Sequence, residues 1–243
     1  MRSEILTLAK QFRINVLAQE SWIPDPGLSN EDYLLELLRA EARLRDERAT
    51  SERLRQARLP SYKGFDEFDT DFQKGVTRQQ LDTLAKLDWL DVLFNLILIG
   101  PPGTGKTHIA LAIGNKAARE GYKVAFNTMD NLVHVLKTQE ISRKSQTRLS
   151  WIRKCDLLII DELGYLPVSR GEANSFFALI SELYEKASII ITSNKGFDGW
   201  AELLGDPVLA TALLDRLTHR CQVLSFTDES YRLAHRKEIF EKS

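Results

Sequence analysis

At 243 residues, with 43% hydrophobic and 28% charged residues, the chain has the composition of a soluble globular protein with one substantial core and a smaller appendage. Its longest apolar runs, Leu96 to Ile99 and Leu157 to Ile160, are strand-length, and the N-terminus lacks an apolar signal region, so a cytoplasmic protein without membrane contact is expected. Lys+Arg 33 against Asp+Glu 34 leaves the whole chain near neutral, so overall charge does not advertise a nucleic-acid partner.

Residues 3–19 place Ile5, Leu8, Phe12 and Val16 at helical spacing behind Ser3, a suitable cap, and predict a short amphipathic helix. Ser21 to Asn30, with Pro24, Pro26 and Gly27, reads as a loop, after which Ser29 or Asn30 caps a long helix toward Arg58 that Pro60 stops. Its first turns carry Tyr33, Leu34, Leu37 and Leu38. Between Glu31 and Arg58 stand seven acids and seven bases, the pattern of a solvent-laced or partner-facing helix. Residues 1–60 therefore read as a small helical domain that buries little by itself and serves as an adaptor. Residues 61–77, with Tyr62, Phe65 and Phe68, read as an extended aromatic linker, followed by a helix over Arg78 to Asp91 that opens the domain 78–243.

In that domain an apolar run, Asn95 to Ile99, stops at Gly100-Pro101-Pro102-Gly103-Thr104-Gly105-Lys106-Thr107 and opens into an alanine-rich helix. The order is strand, phosphate loop, helix. The glycines let backbone N–H groups close around phosphates, Lys106 reaches the outer phosphates, and Thr107 supplies a hydroxyl to magnesium. A helix starting near Gly105 aims its positive dipole end at the same anion.

Strands and helices then alternate. Strands are expected at Lys123–Phe126, Leu157–Ile160, Ser188–Thr192 and Val223–Phe226, with helices between them and a closing helix to Phe240. That alternation predicts an α/β fold, a parallel sheet with helices on both faces. Between Lys137 and Lys154 the bases Lys137, Arg143, Lys144, Arg148, Arg153 and Lys154 face only Glu140, with Trp151 among them. This stretch suits either a solvated helix or a duplex DNA contact made through Arg143, Lys144 and Arg148.

Leu157-Leu-Ile-Ile-Asp161-Glu162 is an apolar strand ending in two acids, and it is expected to lie beside the strand of the phosphate loop. Asp161 would reach magnesium and Glu162 would orient and polarise an attacking water. Ser188 to Asn194 is another buried strand with a polar tip, where the Asn194 amide could meet the γ-phosphate or the water. Asp161-Glu-Leu-Gly164 and Asn194-Lys195 imitate GTPase motifs, but the guanine-reading acid belongs two residues after the lysine, at Phe197, and Asp198 is one too late. ATP is the better nucleotide. Cys155, Cys221 and the scattered His108, His134, His219 and His235 lack metal-ligand spacing, which leaves magnesium as the expected metal.

Gly100 to Thr107, Leu157 to Glu162, the Thr192-Ser-Asn194 tip and the Asp215-Arg216 helix end together resemble an AAA+ ATPase. More narrowly, the runs Leu158 to Pro167, Ile190 to Lys195, Leu214 to Leu217 and Glu229 to Leu233 resemble the IstB-type helper ATPases of insertion sequences, relatives of DnaC helicase loaders. The resemblance covers essentially the whole chain. It implies hydrolysis of ATP with Mg2+, assembly into a ring or spiral on double-stranded DNA, and service to a cognate transposase in target choice and remodelling. It also implies that Asn194 is a sensor and that Arg216 is an arginine finger reaching a neighbouring subunit, with Arg220 as the rival finger and Asp215 as the partner of a merely local Arg216. About 17 residues follow the last expected strand, too few for a full AAA+ lid, so a second sensor at Arg232 is in doubt. The alternatives are a helicase loader, which differs in its partner, and a small-molecule kinase, against which the Asp161-Glu162 pair stands.

Overall fold

The computed structural model describes residues 2–18, 25, 27–164, 168–227 and 229–236, with the side chains of residues 2 and 3 left out. The Ser3 cap, Pro24, Pro26, residues 165–167 and the closing stretch 237–243 lie outside the described residues. The chain divides into two compact units, Met1–Glu52 and Arg53–Ser243.

The first unit holds α1 (Arg2–Gln11), a 3-10 turn (Val16–Ala18) and most of α2 (Asn30–Ala57). Its core is small: Val16, Leu37 and Ala40, flanked by Ile14, Leu17 and Leu44. A polar clamp supplements it. Glu41, 5% exposed, accepts the Val16 N–H at 2.9 Å, the Asn15 amide at 3.2 Å and Arg45 Nε at 2.7 Å. Burial alone would raise the Glu41 carboxyl, but these donors outweigh it and hold it below its ordinary value.

The second unit is a parallel sheet between helices. Its strands are β1 (Asn95–Ile99), β2 (Val124–Thr128), β3 (Leu157–Leu163), β4 (Ser188–Ser193) and β5 (Cys221–Ser225), in the order β2-β3-β4-β1-β5. The expected adjacency of β3 and β1 is therefore wrong: β4 pairs with both and stands between them. Side chains alternate across the sheet as the period of two requires. Ile97, Leu158, Ile160, Ile189 and Ile191 face one apolar cluster, and Leu96, Leu98, Leu157, Ile159 and Ile190 face the other. The near-continuous apolar runs thus reflect burial on both faces.

The first cluster is closed by α6 (Met129–Thr138), α7 (Arg143–Ile152), α8 (Arg170–Leu183), α9 (Asp198–Leu204) and α10 (Pro207–Thr218), the last capped by Asp206 with Pro207 in its first turn. The second is closed by α3 (Arg78–Ala85), α4 (Asp88–Asp91) and α5 (Lys106–Arg119). The single helix expected over Arg78 to Asp91 is two, because Leu87 takes a left-handed φ of 64° between them. Residues 61–77 are not a free linker. Phe68 and Val76 are buried in the second cluster, and Ala57 and Leu59 join it from the end of α2 and just beyond. Among the described residues no helix is long and apolar enough to cross a membrane.

Candidate functional site

The phosphate loop leaves β1 at the C-terminal edge of the sheet, where Gly100 N–H bonds the Ser193 carbonyl at 3.1 Å and so ties the loop to β4. Gly103 and Gly105 have φ of 85° and 94°, a region that costs other residues about 1–2 kcal/mol. A Cβ at Gly103 would collide with Ser230 and one at Gly105 with the Phe68 ring. A residue of the stretch read as linker and one from the segment after β5 therefore form the loop's walls. The Tyr231 N–H bonds the Gly103 carbonyl at 3.0 Å, and Gln73 Nε2 bonds the Glu229 carbonyl at 2.9 Å.

Lys106 is buried, with Nζ donating to the Gly100 and Pro101 carbonyls at 2.7 and 2.6 Å, while Thr104 Oγ1 also bonds the Pro101 carbonyl. Burial lowers the ammonium to about 8; Asp161 opposes that shift and Arg232 adds to it. The helix that follows has no side-chain cap, which leaves its first N–H groups and positive dipole end for an anion. This fixed cation, the glycine cradle and the uncapped helix start fit a phosphate chain.

Asp161 and Glu162 end β3 in different surroundings. Asp161 is 4% exposed, and its Oδ1 accepts the hydroxyls of Thr107 at 2.9 Å and Thr192 at 2.5 Å. Glu162 is exposed and has a left-handed φ of 65°, a conformation that stores strain on the order of 1–3 kcal/mol in a residue with a Cβ. Its N–H donates to Thr192 Oγ1 at 2.9 Å. Asn194, just past β4, is half-buried, and its Oδ1 has no hydrogen-bond partner among the described residues. A hydroxyl, a carboxylate and an orphaned amide oxygen beside the loop form the hard oxygen set that suits magnesium and a water.

The basic stretch is thinner than its sequence suggests. Arg148 is 2% exposed and is no surface cation: its guanidinium bonds the Phe126 carbonyl at 2.5 Å, Asn127 Oδ1 at 2.7 Å and the Gln56 carbonyl at 2.7 Å. Burial, then Arg58, brings it down to about 10, so it stays charged at neutral pH. Contrary to the sequence expectation, it is therefore not placed to contact DNA. Lys137 pairs with Glu172 and Arg153 with Glu182, which leaves Arg143, Lys144 and Lys154 as exposed bases of the stretch.

Arg216 is half-buried, lies over the Phe177 ring at 4.6 Å and donates to the Ala212 carbonyl at 3.1 Å; Asp215 is not its ion-pair partner. It lines a cavity with Asn95 and Ile189, the beginnings of β1 and β4, and so sits at the opposite edge of the sheet from Lys106. Arg220 is exposed and donates to the Val92 carbonyl at 3.3 Å.

Two contributors escaped the sequence reading. Phe68 lies in a segment read as an extended linker, and Thr192 was named only as part of a polar tip; nothing local in the sequence signals that its hydroxyl meets the acid pair some 30 residues away.

The sequence matches the family model of IstB-like ATP-binding proteins over residues 9–239. It is 44% identical over 211 residues to an insertion sequence IS21 ATP-binding protein of Pseudomonas aeruginosa, covering 87% of this chain and 80% of that one. It is 39% identical to an insertion sequence IS5376 ATP-binding protein of Geobacillus stearothermophilus, covering 89% and 86%. Solved structures of similar fold include DnaI, with a TM-score of 0.58 at 21% identity over 68% of this chain and 91% of that one. Another is AMPPCP-bound DnaA from Aquifex aeolicus, with a TM-score of 0.55 at 21% identity over 72% and 53%. The parallel five-stranded sheet with its phosphate loop is thus an AAA+-type fold.

Proposed function

This chain belongs to the IstB-like ATP-binding protein family, and from that premise we propose that it is an ATPase that assembles on duplex DNA and helps a cognate transposase choose and remodel its target. The observation that carries the hydrolytic part is the Thr107 hydroxyl on Asp161 Oδ1, which joins the phosphate loop to the acid pair with Glu162 exposed next door. Lys106 and the glycine loop hold the phosphates; Thr107 and Asp161 would hold magnesium, which when bound neutralises charge on the β- and γ-phosphates. Glu162 orients a water and takes its proton, and the Asn194 amide either accepts from the same water through Oδ1 or senses the γ-phosphate by donating from Nδ2.

Arg216 is the finger in this reading. Its place at the far edge of the sheet from Lys106 means that a phosphate it meets is held by another copy of the chain, which makes turnover depend on assembly. DNA is met through phosphates by Arg143, Lys144 and Lys154, with shape rather than base sequence deciding.

The test is ATP turnover with and without non-specific duplex DNA, with particle size followed in the same samples. Turnover and size rising together support the reading. Lys106→Ala should abolish nucleotide binding, and Glu162→Gln should retain it while turnover falls about 100-fold or more. Neutralising Arg143, Lys144 and Lys154 together should flatten the salt dependence of DNA affinity by up to about one unit of slope per contact. A monomer indifferent to DNA overturns the assembly reading, and capture of a hexameric helicase instead of a transposase makes the protein a loader.

A further inference from the structure

Thr192 lies at the end of β4, between the strand that leads to the phosphate loop and the strand that ends in the acid pair, and is 2% exposed. Its hydroxyl has partners of opposite kinds. A carboxylate can only accept, so Thr192 donates to Asp161 Oδ1; a backbone N–H can only donate, so Thr192 Oγ1 accepts from Glu162. The Thr107 hydroxyl lands on the same Asp161 oxygen. Two hydroxyls on Oδ1 fix the rotation of the carboxylate and leave Oδ2 as the oxygen without a donor among the described residues.

The second bond acts on the other acid. Glu162 is held at a φ of 65°, which a residue with a Cβ keeps only where its surroundings impose it. The N–H accepted by Thr192 is one such constraint, and the direction of the Glu162 side chain follows from that backbone. The register between β3 and β4 also breaks between Ile160 and Leu163, so although Asp161 stays paired with Thr128 of β2, the ladder on the β4 side fixes neither acid. A side chain does so in its place.

We propose that Thr192 is a positioning residue for the ATPase site: one buried hydroxyl sets the orientation of the metal-side carboxylate of Asp161 and the backbone from which Glu162 reaches the water. The proposal rests on the hydrolytic reading above. A hydroxyl that merely satisfied the end of β4 would affect folding and leave metal dependence alone.

Thr192→Val keeps the shape and removes the hydroxyl, and Thr192→Ser restores the hydroxyl. In the full chain, affinity for a fluorescent ATP analogue is measured with and without magnesium, beside steady-state turnover and thermal melting. For Thr192→Val the expected result is metal-free nucleotide affinity within about twofold of the natural protein, with about 10–100-fold lost from magnesium-dependent affinity or from kcat, KM changing little. Thr192→Ser should recover most of that loss. Natural magnesium dependence and kcat in a folded Thr192→Val protein overturns the proposal, as does a Thr192→Ser protein no better than Thr192→Val. Should Thr192→Val fail to fold, Thr192→Cys, of similar size with a weak donor, must show the same selective loss or the proposal falls. If the natural protein turns over no ATP under any condition, the hydrolytic reading fails, and the magnesium-dependent binding still judges Thr192.

Discussion

The two units of this chain close their cores to very different extents. In residues 53–243, Ile97, Ile159, Ile160 and Ile191 are 0% exposed, and apolar side chains from helices cover both faces of the sheet. In Met1–Glu52, Val16, Leu37 and Ala40 are the buried apolar centre, while Phe12 is 65% exposed and Leu34 and Leu38 are 53% and 55% exposed. A unit of about 50 residues has too much surface for its volume to bury every leucine it carries. It compensates with polar bonds around Glu41, whereas the larger unit, besides the buried Arg148, places Lys106, Asp161 and Thr192 as buried polar groups in the site. Stability in one unit therefore rests on apolar burial, and in the other a larger share falls to a few directed bonds.

Core truncation should separate the two most strongly. Ile159→Ala should destabilise the larger unit by about 2–5 kcal/mol, and Leu37→Ala in the smaller core should cost markedly less, both read by denaturant unfolding. Next comes Arg148→Met, which fills the volume but strands the Phe126 and Gln56 carbonyls and Asn127 Oδ1. A loss of about 3 kcal/mol is expected, and an unaltered denaturation midpoint would show that the buried cation contributes nothing net.

The site and the small unit each hold a shifted group, Lys106 and Glu41. With Lys106 lowered to about 8, the free protein sheds the ammonium as pH rises above that value, and nucleotide affinity should fall by up to about tenfold per pH unit there. Binding titrations from pH 7 to 10 check this, and Arg at position 106 should remove the fall. Because the folded value lies below the ordinary lysine value, the burial cost is fully present at neutral pH and relaxes as pH rises between the two.

Glu41 has the opposite sign. Its folded carboxyl is lowered, so its contribution is present above the unfolded pKa and is lost as pH falls through the folded value. Glu41→Gln should cost about 1 kcal/mol at pH 7 and much less in acid, measured by unfolding of the full chain at both pH values. Smallest of all, Phe12→Ser and Leu34→Gln should change stability by less than about 0.5 kcal/mol, since both side chains are already exposed. A larger loss in dilute solution would show that those faces are covered in the native assembly.

Much of the fold and of the site is written locally. A loop such as Gly100 to Thr107 carries its own turn geometry, charge and helix start within a few residues, and β3 announces itself by four apolar residues before Asp161. The alternation of strands with helices gave the parallel sheet for the same reason, because a strand covered on both faces must be apolar throughout. Strand order is not local: β1, β3 and β4 all centre on leucine and isoleucine, and nothing in such runs says that β4 separates β1 from β3. A run of bases reads alike whether solvated or buried, so Arg148 looked like its neighbours until its helix was docked on β2 and its guanidinium met three oxygens.

The sequence by itself determined which residues can hold phosphate and polarise a water, because that chemistry depends on residue type at short spacing. Tertiary structure alone decided which groups support them. Phe68 and Ser230 wall the glycine loop, and Thr192 holds both acids, through contacts between segments tens of residues apart that only the packed sheet brings within bonding distance.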